Sequence, residues 1–64
     1  MIYQNIKRIA DNQHLSIRQI EQRAGLSNGT IGKWRIAKSP NVFAVKKVAD
    51  VLGVQIAEIL EGAT

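Results

Sequence analysis

The stretch that most constrains the fold runs from Ser16 to Arg35, SIRQIEQRAGLSNGTIGKWR. Ile17, Ile20 and Ala24 fall on one face of a helix. Gly25 can close that helix in the left-handed conformation, Leu26 can plug inward behind it, and Ser27 can cap whatever helix follows. Ile31 and Trp34 then give the following segment an apolar stripe of its own. Two short helices meeting around a tight, glycine-containing turn are expected here, with the remaining residues serving to hold the pair in place.

The flanking sequence supplies that support. Ile2, Ile6 and Ile9 are spaced i, i+4, i+7, which predicts an amphipathic first helix from about Ile2 to Gln13 with Lys7 and Arg8 on its polar side. Leu15 can close this helix against the second, and Ser16 is a natural cap for the latter. Beyond Arg35, Ile36 to Ser39 read as a short basic loop and Pro40 stops any continuing helix. Asn41 can cap a fourth helix from about Val42 to Leu52, with Val42, Val45, Val48, Ala49 and Leu52 facing inward, and Gly53 can end it. A last helix from about Gln55 to Leu60 offers Ile56, Ile59 and Leu60, before a tail, Glu61–Thr64, expected to fray. No strand alternation or internal repeat is visible. An all-α single domain over residues 1–64 with five short helices is the expectation.

Composition closes off several alternatives. With 64 residues and no cysteine, neither a disulfide framework nor a thiolate metal site is available. His14 stands alone in a linker without clustered carboxylates, which suits a turn residue better than a metal ligand or a general base. No nucleophile–base pair and no phosphate-cradling glycine loop is present, so no catalytic residue, metal or other cofactor is expected. The apolar runs are far shorter than the roughly 20 residues of a membrane span, and a cytoplasmic protein is expected. The charge is uneven. All nine Lys and Arg lie in residues 1–49, against Asp11 and Glu21, whereas residues 50–64 carry Asp50, Glu58 and Glu61 and no base. One basic end and one acidic end is the footprint expected when one face meets phosphates.

A pair of helices joined in this way is the helix-turn-helix unit, here about residues 16–36, whose second helix enters the DNA major groove. The chain resembles the lambda-repressor-like, Cro/C1-type helix-turn-helix family over nearly its whole length, from IKRIADNQHLS through AGLSNGTIGKW to NVFAVKKVADVLGVQIAEIL. The closing segment is similar to the family's recurring ending, with Val42, Val45, Val48, Ala49, Leu52, Gly53 and Val54 in the corresponding places. SNGTIGKW is particularly similar to repressors of phages and prophages of Gram-positive bacteria. The resemblance implies a compact five-helix domain, the helix-turn-helix being formed by helices 2 and 3. It also implies a transcriptional regulator that binds a double-stranded DNA operator. Two departures stand out. Ile17 occupies the place where many relatives carry a phosphate-fixing Gln, leaving Arg18 as a substitute. Glu21 occupies a place often held by a small residue, so its carboxylate must reach solvent or pair with a cation such as Lys33 or Arg35, because burying it unpaired is costly.

On this reading the recognition helix runs from about Asn28 to Ile36. Asn28, Gly29 and Lys33 are the candidate base contacts, since Asn can bond adenine N6 and N7 and Lys can donate to guanine O6 and N7. Local capping is the competing role for Asn28, and a phosphate contact or plain solvation for Lys33. Arg18, Ser27, Thr30, Arg35 and Lys38 are the candidate phosphate contacts, which set register without reading sequence. Gly29 and Gly32 each weaken a helix by about 1 kcal/mol relative to Ala, so close approach of the backbone to a groove wall or a neighbouring helix is one reason for their presence. Trp34 is in phase with Ile31 and reads as core.

A single recognition helix reads only a few base pairs, so a homodimer on a pseudo-palindromic operator is expected. Phe43, Val51, Ile56, Ile59 and Leu60 are candidates for contact with a second copy or another partner, with ordinary core packing the competing role for Ile56, Ile59 and Leu60. No membrane and no small-molecule ligand is expected. The alternative is an antitoxin or adaptor whose main partner is another protein. Whether the chain is a Cro-like protein or the amino-terminal part of a longer repressor is left open by the sequence.

Overall fold

A computed structural model describes residues 2–36 and 41–60. Among these residues the chain forms four α-helices, α1 (Ile2–Asn12), α2 (Ile17–Arg23), α3 (Val42–Leu52) and α4 (Ile56–Leu60), with a 3-10 helix, Gly32–Arg35, between α2 and α3. The expected five helices are thus four and one short 3-10 turn. No described helix is long and apolar enough to cross a membrane.

The helices end by one repeated device. After α1, α2 and α3 a residue with positive φ (His14, 59°; Gly25, 71°; Gly53, 70°) turns the chain back. The following N–H, of Leu15, Leu26 or Val54, donates to a carbonyl five residues earlier, of Ala10, Glu21 or Ala49. This is the Schellman closure, and it places an apolar residue just past each helix end. Leu15, Leu26 and Val54 accordingly all pack against the core. His14 performs at α1 what glycine performs at the other two, consistent with the tolerance of His for left-handed backbone.

The starts are equally explicit. Ser16 caps α2 through a reciprocal box: its hydroxyl accepts from the Gln19 N–H at 3.1 Å, and the Gln19 side chain accepts from the Ser16 N–H at 2.8 Å. Asn41 caps α3 by accepting from the Phe43 and Ala44 N–H groups. At α4, Glu58 accepts from the Gln55 N–H at 2.9 Å.

Ile6 and Ala10 of α1, Ile20 of α2, Ile31, Trp34, Val45, Val48, Ala49 and Leu52 of α3, and Ile59 of α4 form one buried core. Val42 departs from the expected inward face, being 62% exposed. It is the first residue of α3, and helical side chains lean toward the helix N-terminus, so this one points past the end of the packed layer. Two side-chain amides, Asn5 within α1 and Gln13 just past its end, tie later parts of the chain down. Asn5 donates to the Ile59 carbonyl at 2.8 Å and Gln13 to the Leu52 carbonyl at 2.7 Å. The expected fraying of Glu61–Thr64, and the loop with Lys38 and Pro40, lie outside the described residues.

Candidate nucleic-acid interface

The segment after Leu26 is not the continuous helix expected from Asn28 to Ile36. Ser27–Ile31 make turns, and only Gly32–Arg35 is helical, as a single 3-10 stretch. Its hydrogen bonds are mostly of the tighter i→i−3 kind: Thr30 N–H to Ser27, Trp34 N–H to Ile31, Ile36 N–H to Lys33. Two glycines explain why. Gly29 sits at φ 90°, outside helical space, and Gly32 adds a second residue of poor helix propensity. A 3-10 helix repeats every three residues, so Ile31 and Trp34 fall on the same side of the segment. Both are buried, at 0% and 7% exposure. The sequence stripe was therefore real, but it belongs to a 3-10 turn.

Glu21 corrects a second expectation. Its carboxylate neither reaches solvent nor pairs with Lys33 or Arg35. The residue is 2% exposed, one carboxylate oxygen accepting from the Gly29 N–H at 3.1 Å and the other from the Ile31 N–H at 2.7 Å. Two charge-assisted bonds to backbone amides offset the burial of the charge. Ser27 was expected to cap the following helix, yet the 3-10 helix has no side-chain cap at its own start. Glu21, reaching across from α2, satisfies the amides of this segment instead.

With Ile31, Trp34 and Glu21 on its inner side, the segment presents the opposite side outward. Asn28, Ser27, Lys33 and Arg35 are exposed, and Gly29 and Thr30 are half-buried. Arg18 is exposed on α2, as is Arg23 in its last turn. Among the described residues, ion pairs are confined to Lys7–Asp11 and Lys46–Asp50, so Arg18, Arg23, Lys33 and Arg35 carry no carboxylate partner there. Arg35 is held in place all the same. Its guanidinium carbon lies 5.6 Å from the centre of the Tyr3 ring, and its Nε–H donates to the Gly32 carbonyl at 3.3 Å. Tyr3, 32 positions away in the chain, gave no sequence signal for this role. Lys38 lies outside the described residues.

The residues put forward for a second copy separate. Phe43 is 79% exposed and Leu60 38%. Val51 and Ile56 are half-buried against the core, and Ile59 is fully buried within it, leaving no side-chain surface for a partner.

A capped helix, a left-handed glycine, an inward leucine and a second short helical segment with its polar side outward define a helix-turn-helix domain. The family model for the helix-turn-helix matches residues 6–59, and the chain belongs to this family, in its Cro/C1-type branch. The family is one of DNA-binding regulatory domains and not normally of enzymes. Neither the curated proteins nor the solved structures gave a match to this chain.

Proposed function

We propose that this protein is a sequence-specific transcriptional repressor that binds a pseudo-palindromic DNA operator as a homodimer, in the manner of phage and prophage repressors. The observation that carries the reading is the sidedness of residues 27–36: Asn28 and Lys33 outward, Ile31 and Trp34 inward, on a turn anchored to α2. Asn28 and Lys33 read base edges in the major groove, with the Gly29 backbone approaching closely because no side chain stands there. Ser27, Thr30, Arg18, Arg35 and Lys38 hold phosphates on either side and set the register. Two copies place their reading segments about 34 Å apart, one helical turn of DNA, and occupancy of the site excludes polymerase.

Selection from a random double-stranded DNA pool at physiological salt, followed by a salt titration on the enriched sequences, tests this. A twofold-symmetric site with half-sites one turn apart is the expected result, with affinity falling steeply as salt rises. Enrichment of a single half-site would reject the dimer, and no enrichment would reject sequence-specific binding altogether.

A further inference from the structure

The buried carboxylate of Glu21 is the one charged group in the described core, and base reading as described above makes no direct use of it. It lies on α2, whereas both of its partners belong to the reading segment, eight and ten residues further on. The amides it accepts from flank Thr30 and include that of Gly29, whose φ of 90° reverses the chain just after Asn28. Nothing stands within 4 Å of where a Gly29 Cβ would lie, so neighbouring atoms do not impose this conformation by crowding. The segment's own hydrogen bonds are few and mostly short-range, and a 3-10 stretch of four residues has little stability of its own. Between Leu26, packed against the core on one side, and Ile31 and Trp34 on the other, the direct side-chain link from α2 to the Gly29 end of the tip is the two-point grip of the carboxylate, beside one backbone bond from the Lys33 N–H to the Gly29 carbonyl.

We infer that Glu21 is a positioning residue for sequence discrimination: by gripping the Gly29 and Ile31 amides it sets the angle at which Asn28 meets a base edge. This assignment rests on the DNA-reading role proposed above. It separates specific from non-specific binding in a way that a purely structural role does not. Phosphate-directed affinity depends chiefly on cations held away from the tip, Arg18 on α2 with its Ser16–Gln19 box and Arg35 over the Tyr3 ring, and does not require the tip to be aimed. Base reading does require it.

The test uses the whole chain, the DNA site enriched by the wild type, and a scrambled duplex of the same length. Glu21→Gln keeps the size of the side chain but turns an NH2 group toward one of the two amides. Its affinity for the enriched site is expected to fall about 10- to 100-fold, the worth of a misplaced bidentate base contact. Affinity for the scrambled duplex should stay within about twofold, and far-UV circular dichroism should still show a cooperative melt. If Glu21 acts through Asn28, the double variant Glu21→Gln, Asn28→Ala discriminates no worse than Asn28→Ala alone. Glu21→Asp, which keeps the charge but is one methylene shorter, carries the same comparison should Glu21→Gln fail to fold. Equal losses on both duplexes, additive losses in the double variant, or unchanged discrimination would each overturn the assignment while leaving operator binding intact. A wild type that enriches no sequence would overturn the DNA reading and this assignment together.

Discussion

Trp34→Ala is the perturbation for which the structure gives the firmest magnitude. Trp34 is the only tryptophan in the chain and is 7% exposed, its indole part of the buried core on the 3-10 helix that packs on α1. Truncating a buried tryptophan costs about 3–5 kcal/mol through lost transfer energy and the cavity left behind. A 64-residue domain commands a total stability of roughly 3–10 kcal/mol. The substitution therefore removes a third or more of it. At about 4–8 °C per kcal/mol for a domain of this size, the melting temperature should drop by roughly 12–40 °C. Far-UV circular dichroism against temperature and urea gives the measurement, and the native emission of the single tryptophan, shifting to the red on unfolding, provides the wild-type reference. A variant melting within about 5 °C of the wild type would refute the argument. If that variant also lost DNA binding, Trp34 would belong to the DNA surface and not to the core.

Three further outcomes are expected. Lys33→Ala should relax preference at one base position by about 1–3 kcal/mol, whereas Arg18→Ala and Lys38→Ala should weaken all duplexes alike and lower the salt slope by about 1 each; selection profiles and salt titrations of the variants distinguish the two behaviours. Asn41→Ala removes the acceptor for the Phe43 and Ala44 amides and should cost about 1 kcal/mol, read as a melting point about 4–8 °C lower with base preference unchanged. Lys7 titrates above its ordinary value because its ammonium donates to the Asp11 carboxylate at 2.7 Å and is attracted by that charge. A raised folded pKa means that the contribution of the charged Lys7 is present throughout neutral pH and is lost as pH rises through that raised value. Both side chains are half exposed, so stability between pH 6 and 9 should be flat in this respect and Asp11→Ala should leave the melt nearly unchanged.

The elements legible in the sequence are those whose signals are local. The stripes Ile2–Ile6–Ile9 and Val45–Val48–Ala49–Leu52, the caps Ser16 and Asn41, and the closing glycines 25 and 53 each rest on contacts within a few residues. The reading segment was legible in its sidedness but not in its geometry. A spacing of three, Ile31 to Trp34, is compatible with both an α-helix and a 3-10 helix, and choosing between them requires the backbone angle at Gly29. Glu21 was recognised as out of place, yet its partners are backbone amides, which every residue carries and no residue type advertises. Nor could the Tyr3–Arg35 contact be read, because it depends on how α1 packs on the 3-10 helix.

These illegible features coincide with the surface proposed to meet DNA, and the coincidence has a physical cause. A long, self-sufficient recognition helix would fix its own side chains through its own ladder of hydrogen bonds. Here two glycines weaken that ladder, so the orientation of Asn28 and Lys33 is delegated to tertiary contacts: Glu21 from α2, Ile31 and Trp34 in the core, Tyr3 from α1 beneath Arg35. Glycine allows the backbone itself to approach a groove wall, which a side chain at 29 would prevent. That gain leaves the tip without an intrinsic conformation, and a buried, doubly bonded carboxylate is a strong way to restore one, because its two oxygens fix direction as well as distance. The helix-weakening glycines and the buried acid are thus parts of one arrangement, and substitutions behind the reading surface are expected to change what it reads as well as how firmly it folds.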